Sequence, residues 1–311
     1  MGIGPMRLYK YVQPERVDVL LNGVIRFTQP SLLNDLFESA PPFGGILPSW
    51  VEDILQSAVD DYGRLYLARA SVHAVSGLNL PDLATAALNI ATLSQVSRVQ
   101  LGRHLRRWQS TFVARVQPGA GFRAQETLSE RFGILSLSET ATNVLMWSHY
   151  ADSHRGLVFE VEVEEGFPGR TSLTGLIGTP QKVIYDADRP AWFFYDPLGK
   201  PFQNRIKDIF LRKNIQWQYE KEWRLVYPLT NPRRYPHTIS SNIHLFPLVR
   251  AGIKRVILGA RASDQTIRSV ETAVTSVPEL NHVTLWRCRP SETAYELLAD
   301  RFVAGESSWV T

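Results

Sequence analysis

The sequence predicts an α+β fold: a mixed or antiparallel core sheet with flanking helices, in a single domain over 1–311 that carries an all-helical insert at 45–120. Three observations predict it. Gly156–Glu164 (GLVFEVEVE) alternates cleanly, with Leu157, Phe159, Val161 and Val163 on one face and Glu160, Glu162 and Glu164 on the other. Lys254–Leu258, Asp264–Val277 and Val283–Arg287 read as strand, amphipathic helix and strand. From Ser49 to Val116 apolar residues recur at threes and fours (Leu93, Val96, Val99, Leu101, Leu105, Trp108, Phe112), and no strand-length alternation interrupts them.

The elements follow in order. Arg7–Val12 alternates as a strand. Val17–Asn22 is a short helical turn closed by Gly23, and Val24–Thr28 is a second strand. Ser31–Glu38 (SLLNDLFE) reads as a polar turn opening into an exposed helix start. Pro41–Pro48 (PPFGGILP) breaks the chain before the insert. After Gly119 the strands return at Gly133–Ser138 (GILSLS). A short helix is expected at Ala141–Tyr150, a strand at Lys182–Tyr185, a helix at Phe202–Asn214 and a strand at Glu222–Tyr227. Glu292–Phe302 reads as a terminal helix. Gly259, alone after its strand, reads as a plain turn, since no G-x-G-x-x-G pattern surrounds it.

Composition narrows the function classes. Apolar residues are 44% and charged residues 21%, enough apolar surface to offset chain entropy, so disorder is excluded as the main state. Cys288 is the only cysteine, which excludes a disulfide scaffold and a cysteine zinc cluster; it reads as a buried or idle thiol. No apolar run approaches the ~18 residues a membrane helix needs. The start, MGIGPMRLYKYV, lacks the apolar core of a signal peptide, so a cytoplasmic setting without a membrane partner is expected. The net charge of +4 is a weak signal for polyanion binding. It is locally concentrated, however, at Arg98, Arg103, Arg106 and Arg107 of the insert, the patch expected to meet phosphates if a nucleic acid binds. Eight tryptophans are present, and Trp147, Trp217 and Trp223 sit among charged and polar residues.

The order of short motifs is more telling than any one of them. LYKY (8–11), SLLNDLFE (31–38), ILSLSE (134–139), LMWSHYADSHRG (145–156), WQYEKEWR (217–224) and VILGA (256–260) follow one another along the chain. This order resembles the bacterial domain family of unknown function DUF2971, from about residue 7 to 300 with the insert as an interruption. The family has Pro after Asn-Asp where this chain has Leu36. The family name implies a fold grouping and no activity, so the chemistry is argued from the residues.

His149 and His154 are five apart, the wrong spacing for one helix face. If the helix ends near Tyr150, His154 can fold back toward His149, either to brace the turn into the next strand or to bind substrate or move a proton. Glu220 and Glu222 would share one strand face with Arg224. Paired carboxylates there raise one pKa and suit an acid and a base, while a plain Arg224–Glu222 surface pair is the competing reading. Ser136 and Ser138 share a face, and Arg7 and Lys10 lie on the first strand. Asn34 and Asp35 suit a helix N-cap or a substrate loop beside Lys10.

A base on strand one, a Ser-x-Ser strand and a Glu-x-Glu strand are similar in order to the ADP-ribosyltransferase plan. That resemblance implies NAD as a substrate. It implies Glu222 as the charge-stabilising carboxylate and Glu220 as the group that orients the acceptor. Lys10 or Arg7 would hold phosphate or ribose, near Tyr9, Asn34 and Asp35. Ser136 and Ser138 would brace the nicotinamide pocket, and Trp147, Tyr150, His149 and His154 would line it. The expected function is then transfer of ADP-ribose to a protein or nucleic-acid acceptor, in bacterial defence or as a toxin, with no metal required. Two alternatives stand beside it. One is a metal-dependent nucleic-acid hydrolase or effector that gathers the histidines, Asp35, Glu160 and Glu222 around a cation. The other is a non-catalytic binding or regulatory module.

Overall fold

The computed structural model describes residues 6–40, 43–45, 119–163, 179–189, 192–193, 209–229, 237–240 and 243–302. The body of the expected insert, including Arg98, Arg103, Arg106 and Arg107, lies outside the described residues. Contacts group 1–38, 126–188 and 210–311 into one compact unit, and 39–125 with 189–209 into a second.

The described strands are β1 (Met6–Val12), β2 (Val24–Phe27), β3 (Phe43–Gly45), β4 (Phe132–Ser138), β5 (Leu157–Val163), β6 (Gln181–Lys182), β7 (Ile184–Asp186) and β8 (Trp192–Phe193). They continue with β9 (Arg212–Asn214), β10 (Glu222–Pro228), β11 (His237–Ser240), β12 (Ile243–Pro247), β13 (Ile253–Leu258), β14 (Thr284–Pro290) and β15 (Leu297–Phe302). The described α-helices are α1 (Asp18–Asn22), α2 (Ala120–Ser129), α3 (Val144–Tyr150) and α4 (Asp264–Ser276). An eight-stranded sheet runs β15-β14-β13-β5-β1-β4-β10-β6. It is mixed: β13 and β14 pair in parallel, as the strand–helix–strand reading requires, and the other pairs are antiparallel. The α+β class is thus the observed one.

Alternation decides what each face buries. Leu8, Leu135, Leu137, Phe159, Leu225 and Val256 join one core with Val19 and Leu20 of α1 and Ile267, Val270 and Ala273 of α4. The opposite parity supplies Tyr11, Val158, Ile257 and Cys288, which meet Met146 and Trp147 of α3 in a second core. Cys288 is fully buried, and burial pushes its thiol up to about 12, so it is an inert packing residue.

Four elements differ from expectation. The expected Lys182–Tyr185 strand is broken at Val183 into β6, which pairs with β10, and β7, which pairs with β9 in a separate sheet. Glu292–Phe302 is not a helix: its second half is β15, paired with β14 from Leu285↔Phe302 to Pro290↔Leu297. Pairing to an open sheet edge overrides the local helix preference of that segment. At the end of the expected 202–214 helix, Arg212–Asn214 leaves the helix and pairs in parallel with β7. Ser31–Glu38 opens no helix. A 3-10 turn at Pro30–Leu32 is followed by a turn in which the Asp35 carboxylate accepts from the Phe37 N–H at 2.9 Å. Leu36 and Phe37 face solvent while Asp35 and Glu38 are buried, the inverse of the usual order: Glu38 meets Arg224 and Lys213 inside, and Asp35 holds its own turn.

Candidate functional site

The site lies where the sheet splays, wholly within the first unit. One edge of β4 meets two different neighbours. Ser138 pairs with Tyr9 of β1, and Ile134 exchanges both backbone bonds with Thr28. Ser136 lies between them. Its carbonyl accepts from the Lys10 ammonium at 2.9 Å, so a side chain takes a place that a strand would fill. A pocket of about 230 Å³ opens there, lined by Tyr9, Lys10, Asn34, Ser136, Ser138, Tyr150, Glu220 and Glu222, with Glu38, Lys213 and Arg224 at its charged wall.

The charged wall is a buried network. Arg224 bonds Glu222 through Nε and Nη2, both at 2.8 Å, donates to the Phe210 carbonyl and pairs with Glu38. Lys213 Nζ stands 2.6 Å from Glu220, 3.3 Å from Glu222 and 3.7 Å from Glu38. The Tyr150 hydroxyl donates to the other Glu220 oxygen and accepts from Asn34 Nδ2. Ser138 Oγ donates to the Glu220 carbonyl at 2.7 Å. The Arg224–Glu222 pair is therefore a core feature, with Arg224 unexposed and Glu222 at 3%, and not a surface contact.

Burial and charge pull the titrating groups apart. Burial raises the Glu222 carboxyl, with Lys213 opposing and Glu220 adding to the rise. Burial alone would lower Lys213, but Glu222 and Glu220 outweigh it and hold the ammonium above its ordinary value. Lys10 has weaker partners, and burial lowers it to about 8 against the pull of Glu222. Burial also lowers Arg224, to about 9, so it stays cationic at neutral pH. Burial and then Glu220 raise the Tyr150 phenol, which therefore stays protonated.

Glu220 and Glu222 do converge, though not as neighbours on one strand face. Glu220 ends a 3-10 turn (Ile215–Glu220), and Lys221 adopts φ 44° in the left-handed region before β10 begins. The kink, rather than strand alternation, turns both carboxylates toward Lys213. Asn143 caps α3 by accepting from the N–H groups of Leu145 and Met146, and its amide donates to the Tyr219 carbonyl. That tie fixes α3, and with it Tyr150, against the 3-10 turn.

Of the expected site residues, Lys10, Tyr9, Asn34, Ser136, Ser138, Tyr150, Glu220 and Glu222 line the pocket. Arg7 is half-exposed and reaches Glu160 at 3.5 Å instead. Asp35 is buried in its own turn. Trp147 is fully buried, its indole N–H donating to the Ala141 carbonyl, with Tyr11 at its edge. His154 stacks on Trp147 and meets Ser148 Oγ at 3.1 Å; burial and then Arg261 lower its pKa. Asp152, Ser153 and His154 all have positive φ, so the chain folds back sharply between α3 and β5. His149 is exposed beside Tyr150 and Tyr219. The histidines thus stay apart from the pocket, and Glu160 sits with Arg7 and Arg255. Among the described residues no three His, Cys, Asp or Glu side chains come together as metal ligands, and no helix is long and apolar enough to cross a membrane.

Sequence reasoning missed Lys213 and Glu38. Lys213 was hidden by reading a helix through Asn214. Glu38 stood in the SLLNDLFE motif but looked like a solvated helix residue.

No curated protein and no solved structure matches the chain, so the ADP-ribosyltransferase motif order rests on the residues alone. One family does match, that described as "Protein of unknown function (DUF2971)", over residues 146–225. That stretch holds α3 from Met146 onward, the His154 turn, β5, Lys213 and the Glu220–Glu222 kink, so the DUF2971 resemblance is shown over the segment that builds the Glu220–Glu222 side of this pocket.

Proposed function

We propose that the chain is an ADP-ribosyltransferase-like enzyme that cleaves NAD at the nicotinamide–ribose bond and passes ADP-ribose to a protein or nucleic-acid acceptor, or to water. One observation carries the reading. The base, the Ser-x-Ser pair and the Glu-x-Glu pair come from the adjacent strands β1 and β4 and the head of β10, and they end in one pocket. The volume of about 230 Å³ is below the ~300–1,000 Å³ of sites that enclose a whole drug-sized ligand. It suits a ring with its ribose, the end of NAD where the bond breaks.

The chemistry divides the carboxylates. As nicotinamide leaves, positive charge grows on the ribose, and a stationary carboxylate stabilises it. Glu222 is held on both oxygens by Arg224 and Lys213 and meets that need. Glu220 shares a hydrogen bond with the Tyr150 phenol, which suits orienting an acceptor hydroxyl or water. Lys10, cationic below about 8, suits a ribose oxygen or phosphate.

The test is nicotinamide release from NAD by the full chain, with protein, nucleic-acid or water acceptors. Glu222→Gln is expected to lower the rate about 100-fold or more while the far-ultraviolet circular dichroism stays native. No release by wild type with every acceptor, or undiminished release by a folded Glu222→Gln, refutes the proposal.

A further inference from the structure

The pocket is too small for a dinucleotide, and its rim carries a feature outside the roles proposed above. Tyr150 lines the pocket, and its ring centroid lies 6.4 Å from His149. His149 lies 6.4 Å from Tyr219, and Tyr219 lies 6.1 Å from Trp217. Trp217 returns to the pocket, because Lys213 Nζ sits 4.9 Å over its ring while bonding Glu220. The row therefore begins and ends on pocket residues. His149 is exposed, and Tyr219 and Trp217 are half-buried, so ring surface remains in solvent. The residues beside them, Ile215, Gln216 and Gln218, are exposed and leave the row uncovered by its own turn.

We infer that His149, Tyr219 and Trp217 form a stacking subsite for a second planar heteroaromatic base, the purine of the dinucleotide whose other end enters the pocket; the identity of that dinucleotide rests on the reading above. Aromatic side chains hold bases through their π faces with little demand on sequence or hydrogen-bond pattern. Such a subsite needs ring area at the rim rather than a deep cavity. The substrate then bridges two places. Ring and ribose sit among Lys10, Tyr150 and Glu222, and the purine lies outside on the aromatic row. His149, separate from the pocket, gains a role as a ring surface in place of a proton carrier.

The experiment measures binding of AMP, nicotinamide mononucleotide and NAD to the full chain by calorimetry. The variants are His149→Ala, Trp217→Ala and Trp217→Phe. His149 is exposed, so its loss leaves the fold in place, and phenylalanine at 217 keeps a ring under Lys213. The alanine variants are expected to weaken AMP and NAD about 10-fold, with nicotinamide mononucleotide unchanged and Trp217→Phe largely restored. Equal weakening of all three ligands, or AMP affinity untouched by both alanine variants, overturns the subsite. So does a wild type that binds no AMP and holds NAD no tighter than nicotinamide mononucleotide. If wild type binds AMP on the row but neither nicotinamide mononucleotide nor NAD, the NAD reading fails and the stacking subsite stands.

Discussion

Lys213→Met removes the cation that stands among three buried carboxylates. Lys213 is 6% exposed, and Glu38, Glu220 and Glu222 are each at or below 3%. With the ammonium gone, Arg224 is the cation still paired with Glu38 and Glu222 among the contacts described above, and Glu220 keeps the Tyr150 hydroxyl on its side-chain oxygens. Breaking a buried pair by removing one partner costs about 3–5 kcal/mol, because the remaining charge stays desolvated. The cost has a pH signature. Burial already raises Glu222, and losing Lys213 removes the main opposing pull, so its folded pKa rises further. A carboxyl with a raised folded pKa takes up protons on folding. Its stability is fully present below the unfolded value of about 4.3 and is lost as pH rises through the folded value. The variant should therefore lose most at pH 8 and least near pH 5. The assay is urea denaturation of wild type and variant at both pH values, followed by tryptophan fluorescence. Adding Glu222→Gln to Lys213→Met should recover part of the loss at pH 8. Equal midpoints for wild type and Lys213→Met at pH 8, or the same penalty at both pH values, would show that the cluster is not held by this ammonium.

Two further outcomes are expected. Lys10 is lowered to about 8, so above pH 8 this side chain holds fewer protons in the native state than in the unfolded chain. The Lys10 contribution to stability should rise by about 1.4 kcal/mol per pH unit from there to the ordinary lysine value, read as the difference between the wild-type and Lys10→Met stability–pH curves; parallel curves for the two would count against a buried ammonium. Gly259→Ala would set a Cβ 2.1 Å from the His154 carbonyl oxygen, where the Arg261 N–H also bonds. A loss of roughly 4 kcal/mol or more is expected in chemical denaturation, and a near-native midpoint would mean that the turn yields easily.

Legibility followed physical range. β5 was readable because Leu157, Phe159, Val161 and Val163 alternate with Val158, Glu160 and Glu162, and period two reflects backbone geometry alone. The β13–α4–β14 unit was readable because two strand runs flank an amphipathic helix, again a local pattern; that Ser263 caps α4 is added by the structure. β15 was misread because Leu297–Phe302 has no local strand signature; its partners, such as Cys288 for Ala299, come from another strand. In the site, the residue types and their order on β1, β4 and β10 were readable. Lys213 and Glu38 were not, since their depth depends on how β9 and the 31–38 turn fold over the sheet.

The α+β class, the two faces of β5 and the order of a base, a Ser-x-Ser and a Glu-x-Glu were legible from residue order. Those follow from backbone periodicity and residue type, which are local. Tertiary structure alone decided which charges share a low-dielectric wall, that Trp147 packs in a core while Trp217 stands at a rim, and that His149 and His154 part company. Each of these depends on contacts between residues far apart in the chain, and burial sets the strength of every charge among them.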